Sequence, residues 1–200
     1  MDSLLAGYRR FREGGWPARK RLFEHLAEHG QRPDVAVIAC ADSRVDPAMI
    51  FDAGPGEMFV LRNVANLVPP WAPDGAAHGT SAGLEFAVLG LNIRHLVVLG
   101  HGLCGGVRAL RTGNAGGEFL GPWMLQAAPA LHAALACTSL EAELAAEYAV
   151  VGLSLANLHT FPFVARRVAA GQLVLHGAHF DIRTGILALR GPDGTFAAID

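Results

Sequence analysis

LVVLGHGLCGG, Leu96–Gly106, is the stretch on which the reading of this chain turns. Its first five residues form an unbroken apolar run, the pattern of a strand covered on both faces. His101 and Cys104 follow at once, and Gly105-Gly106 open a helix over Gly105–Arg111. A second apolar run, VAVIA at Val35–Ala39, ends in the same manner, in CADSR at Cys40–Arg44. Two buried strands therefore stop at thiol, imidazole, carboxylate and guanidinium groups. In an α/β sheet the carboxyl ends of the strands are where ligands bind.

Working outward, residues 3–13 and 17–29 read as two helices separated by Gly14-Gly15, with Pro17 in the first turn of the second. Val35–Cys40 is the first strand. Glu57–Leu61 is the second, introduced by a turn at Ala53–Gly56, and His95–Gly100 is the third. Leu84, Val88 and Leu91 give Thr80–Leu91 helical spacing, with Thr80 or Ser81 as N-cap. Ser139–Asn157 reads as a long helix carrying Glu141, Glu143 and Glu147. Gln172–Phe180 and Gly185–Arg190 read as strands joined by a turn around Arg183–Gly185. The alternation predicts one α/β domain over residues 1–200, a mostly parallel central sheet flanked by helices, with residues 1–30 as a helical arm.

Sixteen basic residues against 18 acidic give a net charge of −2, and Lys and Arg form no stripe, so no nucleic-acid partner is expected. The chain is 52% hydrophobic with a mean hydropathy of +0.31, which implies further surface to bury in a dimer or larger assembly. Three cysteines make no disulfide framework, and the N-terminus lacks a signal peptide's apolar core; a reducing cytoplasmic setting is expected. Phe119–Leu140 has no Asp, Glu, Lys or Arg in 22 residues, long enough for a bilayer, but Pro122, Gln126, Pro129 and His132 argue against a span. Asn157, His159, Thr160 and Pro162 argue the same for Tyr148–Ala165.

Cys40, His101 and Cys104 form a Cys₂His set that leaves the fourth position of a zinc ion open, the pattern of a catalytic site. Asp42 and Arg44 have no use in a structural zinc site. A carboxylate two residues from a ligand accepts a hydrogen bond from a water on the metal, and Arg44 holds it ionised by a bidentate pair. An Asp42 that swung onto the metal would close the site, so the pair also reads as a gate. Gly105 and Gly106 let backbone N–H groups approach a small anion.

These segments, with PGEMFVLRNVANLVPP (Pro55–Pro70), GTSAGLEFAV (Gly79–Val88) and HGAHFDIRTG (His176–Gly185), resemble the β-class carbonic anhydrases from Leu4 to about Leu189. The resemblance implies zinc, one per chain, on Cys40, His101 and Cys104, and a catalytic dyad of Asp42 and Arg44. It implies reversible hydration of CO₂ to bicarbonate by attack of a zinc-bound hydroxide. It places Gln31, nine residues before Cys40, with Phe59, Val64 and Gly105 around the substrate. Some of these usually come from a partner subunit, which implies at least a homodimer. Phe86 stands where plant-type members often carry Tyr, losing that hydroxyl. A regulatory bicarbonate site of Trp, Arg and Tyr in one subtype maps to Val37, Arg62 and Phe180, so two of three are missing and the site reads as constitutively open. Two thiolates cancel the charge of Zn²⁺, which predicts activity rising into mildly alkaline pH.

Other readings stay open. GHGLCG, Gly100–Gly105, also fits the GxGxxG dinucleotide fingerprint of an NAD-dependent oxidoreductase, which leaves CADSR unexplained. A non-catalytic zinc protein leaves Asp42 and Arg44 unexplained. A hydrolase of carbonyl sulfide or carbon disulfide would use the same groups. Cys137 reads as a core thiol, and His25 and His29 as a solvated helix face. His176 and His179 fall on opposite strand faces, Arg62-Asn63 brace the strand end, and Trp16, Trp71 and Trp123 are packing or interface residues. The two N-terminal helices are expected to pack on the partner.

Overall fold

A computed structural model describes residues 1–132 and 140–199. Its sheet runs β2(Met58–Asn63)–β1(Val35–Cys40)–β3(His95–His101)–β4(Val174–Phe180)–β5(Leu187–Arg190)–β6(Phe196–Ala198). The first four strands are parallel and the last two antiparallel. From β1 the chain goes outward to β2 and then returns past β1 to β3. The carboxyl ends of β1 and β3 thus lie side by side where the strand order reverses, the crevice in which such sheets bind ligands.

Sequence explains why β1 is central. Ala36–Cys40 are all buried, with no polar side chain among them. One face packs against α4(Gly79–Glu85), α8(Leu140–Leu158) and α9(Pro162–Ala169), through a core that includes Ile38, Leu84, Leu96, Val98, Val151 and Phe161. The other face carries a thinner layer of Val37, Ala39, Leu99 and Ala178. Truncating Leu96 or Ile38 to Ala would cost about 2–5 kcal/mol of stability through the cavity left behind.

In α8 the residues Ala142, Ala146, Val150, Ser154 and Leu158 recur every four positions and are buried. The uncharged character of its second half, Tyr148–Leu158, reflects burial against β3 and β4. The helix breaks before Pro162, and α9 leaves at 89°. Among the described residues no single helix is long and apolar enough to cross a membrane.

Local departures from the sequence reading have physical causes. β2 runs two residues past Leu61, to Asn63, because Arg62 and Asn63 pair with Ala39 and Cys40. Helix α4 continues through a wider turn over Phe86–Gly90. Gly14-Gly15 do not break the N-terminal arm. α1(Asp2–Arg10) passes through a wide turn, Phe11–Gly15, into α2(Trp16–His29). A Cβ on Gly15 would lie 2.8 Å from the Phe11 ring, so the glycine admits that ring against Trp16 and Phe23. β6, α9 and the short helices α3(Pro47–Ile50), α6(Leu120–Leu125) and α7(Ala128–Leu131) were not expected. α5(Gly105–Arg111) has the expected bounds. Cys137 and Ser139 lie outside the described residues.

Candidate metal centre

Cys40 ends β1, His101 ends β3, and Cys104 caps α5 three residues later. Their ligand atoms lie within 4.8 Å of one another, and all three side chains are buried. His101 Nδ1 is 2.9 Å from the Gly102 carbonyl, which can only accept, so Nδ1 carries the proton and Nε2 a lone pair. That Nε2 is buried and has no hydrogen-bond partner. An orphaned imidazole nitrogen facing two sulfurs, its other nitrogen fixed by a carbonyl, is the arrangement of a zinc ligand. The donor set fits tetrahedral zinc, with sulfur at about 2.3 Å, nitrogen at about 2.0 Å and one position open.

The Cys104 thiol donates toward Cys40 and brings it down to about 4, against the effect of burial. Cys104 is pushed up by the same contact and by burial. Cys40 Sγ also accepts the Ala65 N–H at 3.3 Å.

Ala65 has φ +64° and Leu103, between the ligands, φ +58°. Each such conformation costs a side-chain-bearing residue roughly 1–2 kcal/mol, so the surroundings must hold it. Around Ala65, Asn63 Oδ1 accepts the Leu67 N–H at 3.0 Å, and Asn63 Nδ2 donates to the Leu67 carbonyl at 2.8 Å. Trp123 Nε1 donates to the Val64 carbonyl at 2.8 Å. From α8, Ser154 bridges the Asn66 carbonyl and the Val68 N–H. A Cβ on Gly106 would lie 2.8 Å from Val64, so only glycine lets α5 approach this turn.

Asp42 Oδ1 accepts from the Arg44 backbone N–H and from Nε, each at 2.9 Å, and Oδ2 accepts from Nη2 at 2.7 Å. Those Arg44 hydrogen bonds hold the Asp42 carboxyl well below the usual carboxylate range. Nη2 also donates to the Leu103 carbonyl at 3.0 Å, tying the β1 loop to the β3 loop. Arg62 donates from Nε to the Cys40 carbonyl at 2.9 Å, and from Nη2 to the carbonyls of Asp42 at 2.6 Å and Val45 at 3.1 Å. The arginine of the expected anion position is thus engaged with the ligand loop itself. Val37 is buried in the sheet.

The substrate-pocket residues divide. Val64 adjoins the turn that contacts Cys40, and lines a cleft of about 570 Å³ together with Asn63, Thr80, Phe119 and Trp123. A Cβ on Gly105 would meet nothing within 4 Å, so space is open at that position. Phe59 pairs with Ala36, four residues below Cys40, or about 13 Å along the strand. Phe86 is 51% exposed and tilts against Phe59 at 5.7 Å. Gln31 is exposed just beyond α2. A single chain brings Val64 and Gly105 to the ligands, and leaves Gln31, Phe59 and Phe86 apart from them.

Sequence reasoning missed the part played by Glu147 and His179, both buried behind the ligand loop. A signal existed: Glu147 falls four residues before Val151 on the apolar stripe of α8, and a carboxylate there requires a partner. Trp123, expected as a packing or interface residue, also donates its indole N–H to the turn beside Cys40.

A family model described as "Carbonic anhydrase" matches residues 35–187. The chain is 38% identical to a carbonic anhydrase of Pseudomonas aeruginosa, covering 100% of this chain and 92% of that one. It is 35% identical to beta carbonic anhydrase 3 of Arabidopsis thaliana, covering 94% and 76%. Among solved structures, the β-carbonic anhydrase CcaA superposes with a TM-score of 0.92 at 32% identity, over 100% of this chain and 92% of that one. A tetrameric β-carbonic anhydrase of Sordaria macrospora gives 0.83 at 29%, over 100% and 98%. Fold, ligand cluster and full-length similarity agree, and the chain belongs to the β-carbonic anhydrase family.

Proposed function

We propose that this protein is a zinc-dependent carbonic anhydrase, catalysing reversible hydration of CO₂ to bicarbonate and a proton. The observation that carries this reading is the buried Cys40–His101–Cys104 cluster beside an Asp42 carboxylate gripped by Arg44, in a chain of this family. Held by those three residues, zinc would supply Lewis acidity that lowers the pKa of a coordinated water, less far than the roughly 7 of a three-histidine site because two thiolates cancel its charge.

The roles of the remaining residues follow from their chemistry. Asp42 stays ionised at every pH of interest because Arg44 holds it. It therefore acts as a hydrogen-bond acceptor that orients the nucleophile and not as a store of protons. Arg44 keeps that carboxylate off the metal, which leaves the site open. Val64 gives CO₂ an apolar wall, and Gly105 leaves room for its approach. Gln31, Phe59 and Phe86 complete the pocket of a neighbouring subunit in a homodimer or dimer-based oligomer, with residues 1–30 packed on that neighbour. The charge balance and the open, unregulated dyad suit a constitutive cytoplasmic enzyme.

The test is zinc content and CO₂ hydration at pH 7 and 8.5 for the purified protein and Asp42→Ala. One zinc per chain, with alkaline-favoured activity largely lost in the variant, is the expected result. Zinc without hydration at either pH would overturn the reading in favour of carbonyl sulfide or carbon disulfide hydrolysis, or of a structural metal. The dinucleotide reading has no support in the fold: α5 leads into α6 and not into a second parallel strand.

A further inference from the structure

The peptide joining Leu103 to Cys104 is gripped from both sides. Its carbonyl accepts Arg44 Nη2 at 3.0 Å, on the side of the dyad. Its N–H donates to Glu147 Oε1 at 3.0 Å, from the opposite direction. The second oxygen of Glu147 accepts His179 Nε2–H at 3.0 Å. Glu147 and His179 are 5% and 2% exposed, so both bonds are made by buried side chains. His179 is itself fixed, its ring meeting Tyr148 edge-on at 4.9 Å, and Tyr148 stacks on Phe196 of β6. Leu103 holds a φ of +58°, which the two grips on the following peptide maintain.

We propose that Glu147, anchored by His179, is a positioning residue for Cys104: it fixes the orientation of the Leu103–Cys104 peptide so that Sγ meets the zinc. The inference rests on the zinc reading above. It assigns to a buried pair on α8 and β4 the task of holding a ligand that neither residue touches through the metal. The function required is that of a hydrogen-bond acceptor. A glutamine at position 147 keeps Oε1 for the Cys104 N–H and can donate its amide to the other tautomer of His179. An alanine leaves both the N–H and the imidazole unpartnered in the interior.

The full-length wild type is compared with E147A, E147Q and H179L by two readouts: competition for zinc with a chromogenic chelator, and the visible and near-ultraviolet spectrum of the cobalt(II)-substituted protein. E147A should bind zinc about 10–100-fold more weakly and shift the thiolate–cobalt bands, the usual range for loss of such an outer partner. E147Q should retain wild-type affinity and spectrum. H179L, which loosens the carboxylate without removing it, should lie between. Wild-type zinc affinity and spectrum in E147A would overturn the proposal. So would E147Q as impaired as E147A, because charge and not the grip on the amide would then be what the site uses. If E147A does not fold, H179L decides alone: weakened zinc binding supports the proposal, and unchanged binding overturns it. Neither readout uses CO₂, so a wild type that holds zinc but does not hydrate CO₂ would overturn the proposed function and leave this inference standing.

Discussion

The carboxyl edge of the sheet and the N-terminal arm are built on opposite terms. At the edge, the ligands, the Asp42–Arg44 pair and the Ala65 turn are cross-linked by backbone and side-chain hydrogen bonds within one chain. Along the arm, α1 and α2 have no buried residue, with Leu4 70% and Tyr8 59% exposed. An edge of that kind needs only a metal to be chemically complete. An arm of that kind is stable through its own aromatic cluster of Phe11, Trp16 and Phe23, and leaves its apolar side chains for another surface to cover. The ligand cluster is thus gathered within one chain, while Gln31, Phe59 and Phe86 stand apart from it.

Each half of that contrast can be broken separately. His101→Ala should reduce CO₂ hydration to the uncatalysed rate and empty the zinc site while the oligomer stays intact; metal analysis and light scattering read both. Asp42→Ala should keep its zinc and lose on the order of 10²-fold in kcat/KM, the scale of a lost orienting contact, measured by stopped-flow hydration. Deleting residues 1–30 should weaken assembly in sedimentation and lower activity without releasing zinc; an unchanged oligomer would refute the role given to the arm. The smallest effect is that of pH. Activity should climb through mildly alkaline pH, and a flat profile from roughly pH 6 to 9 would contradict the metal reading. The climb is not due to Asp42. A carboxylate held below its unfolded value stabilises the fold at every pH above that value, about 3.9, and loses the contribution only as pH falls through its lower folded value. Between pH 5 and 9 the Asp42–Arg44 pair is therefore constant, and thermal stability should not vary on its account.

What was legible in the sequence follows the range of the interactions. β1 and α5 keep their expected bounds because an apolar β-branched run and a Gly-Gly helix start are local signals. The ligand cluster was legible because Cys40 and His101 end adjacent strands, where the topology must gather them, and Cys104 follows three residues beyond at a helix start. Asp42 and Arg44 are two residues apart, and their pairing needed no tertiary information. The supports were not legible. Glu147 meets Cys104 from 43 residues away, and Ser154 meets Val68 from 86. Nor did Gly14-Gly15 act as a breaker, since the ring of Phe11 fills the space that the missing side chain leaves. Arg62 was read correctly as bracing the strand end, and its three carbonyl partners give that bracing its form.

The double use of Arg44 Nη2 has a consequence for how the site behaves in time. Were Asp42 to leave its partner, the guanidinium would still be moored by the Leu103 carbonyl, 59 residues along the chain, and would remain within reach of the vacated carboxylate position. Departure would break the pair without dispersing it, and recapture would be a local side-chain rotation and not a search. Such a contact would favour rapid re-pairing of the carboxylate with the guanidinium.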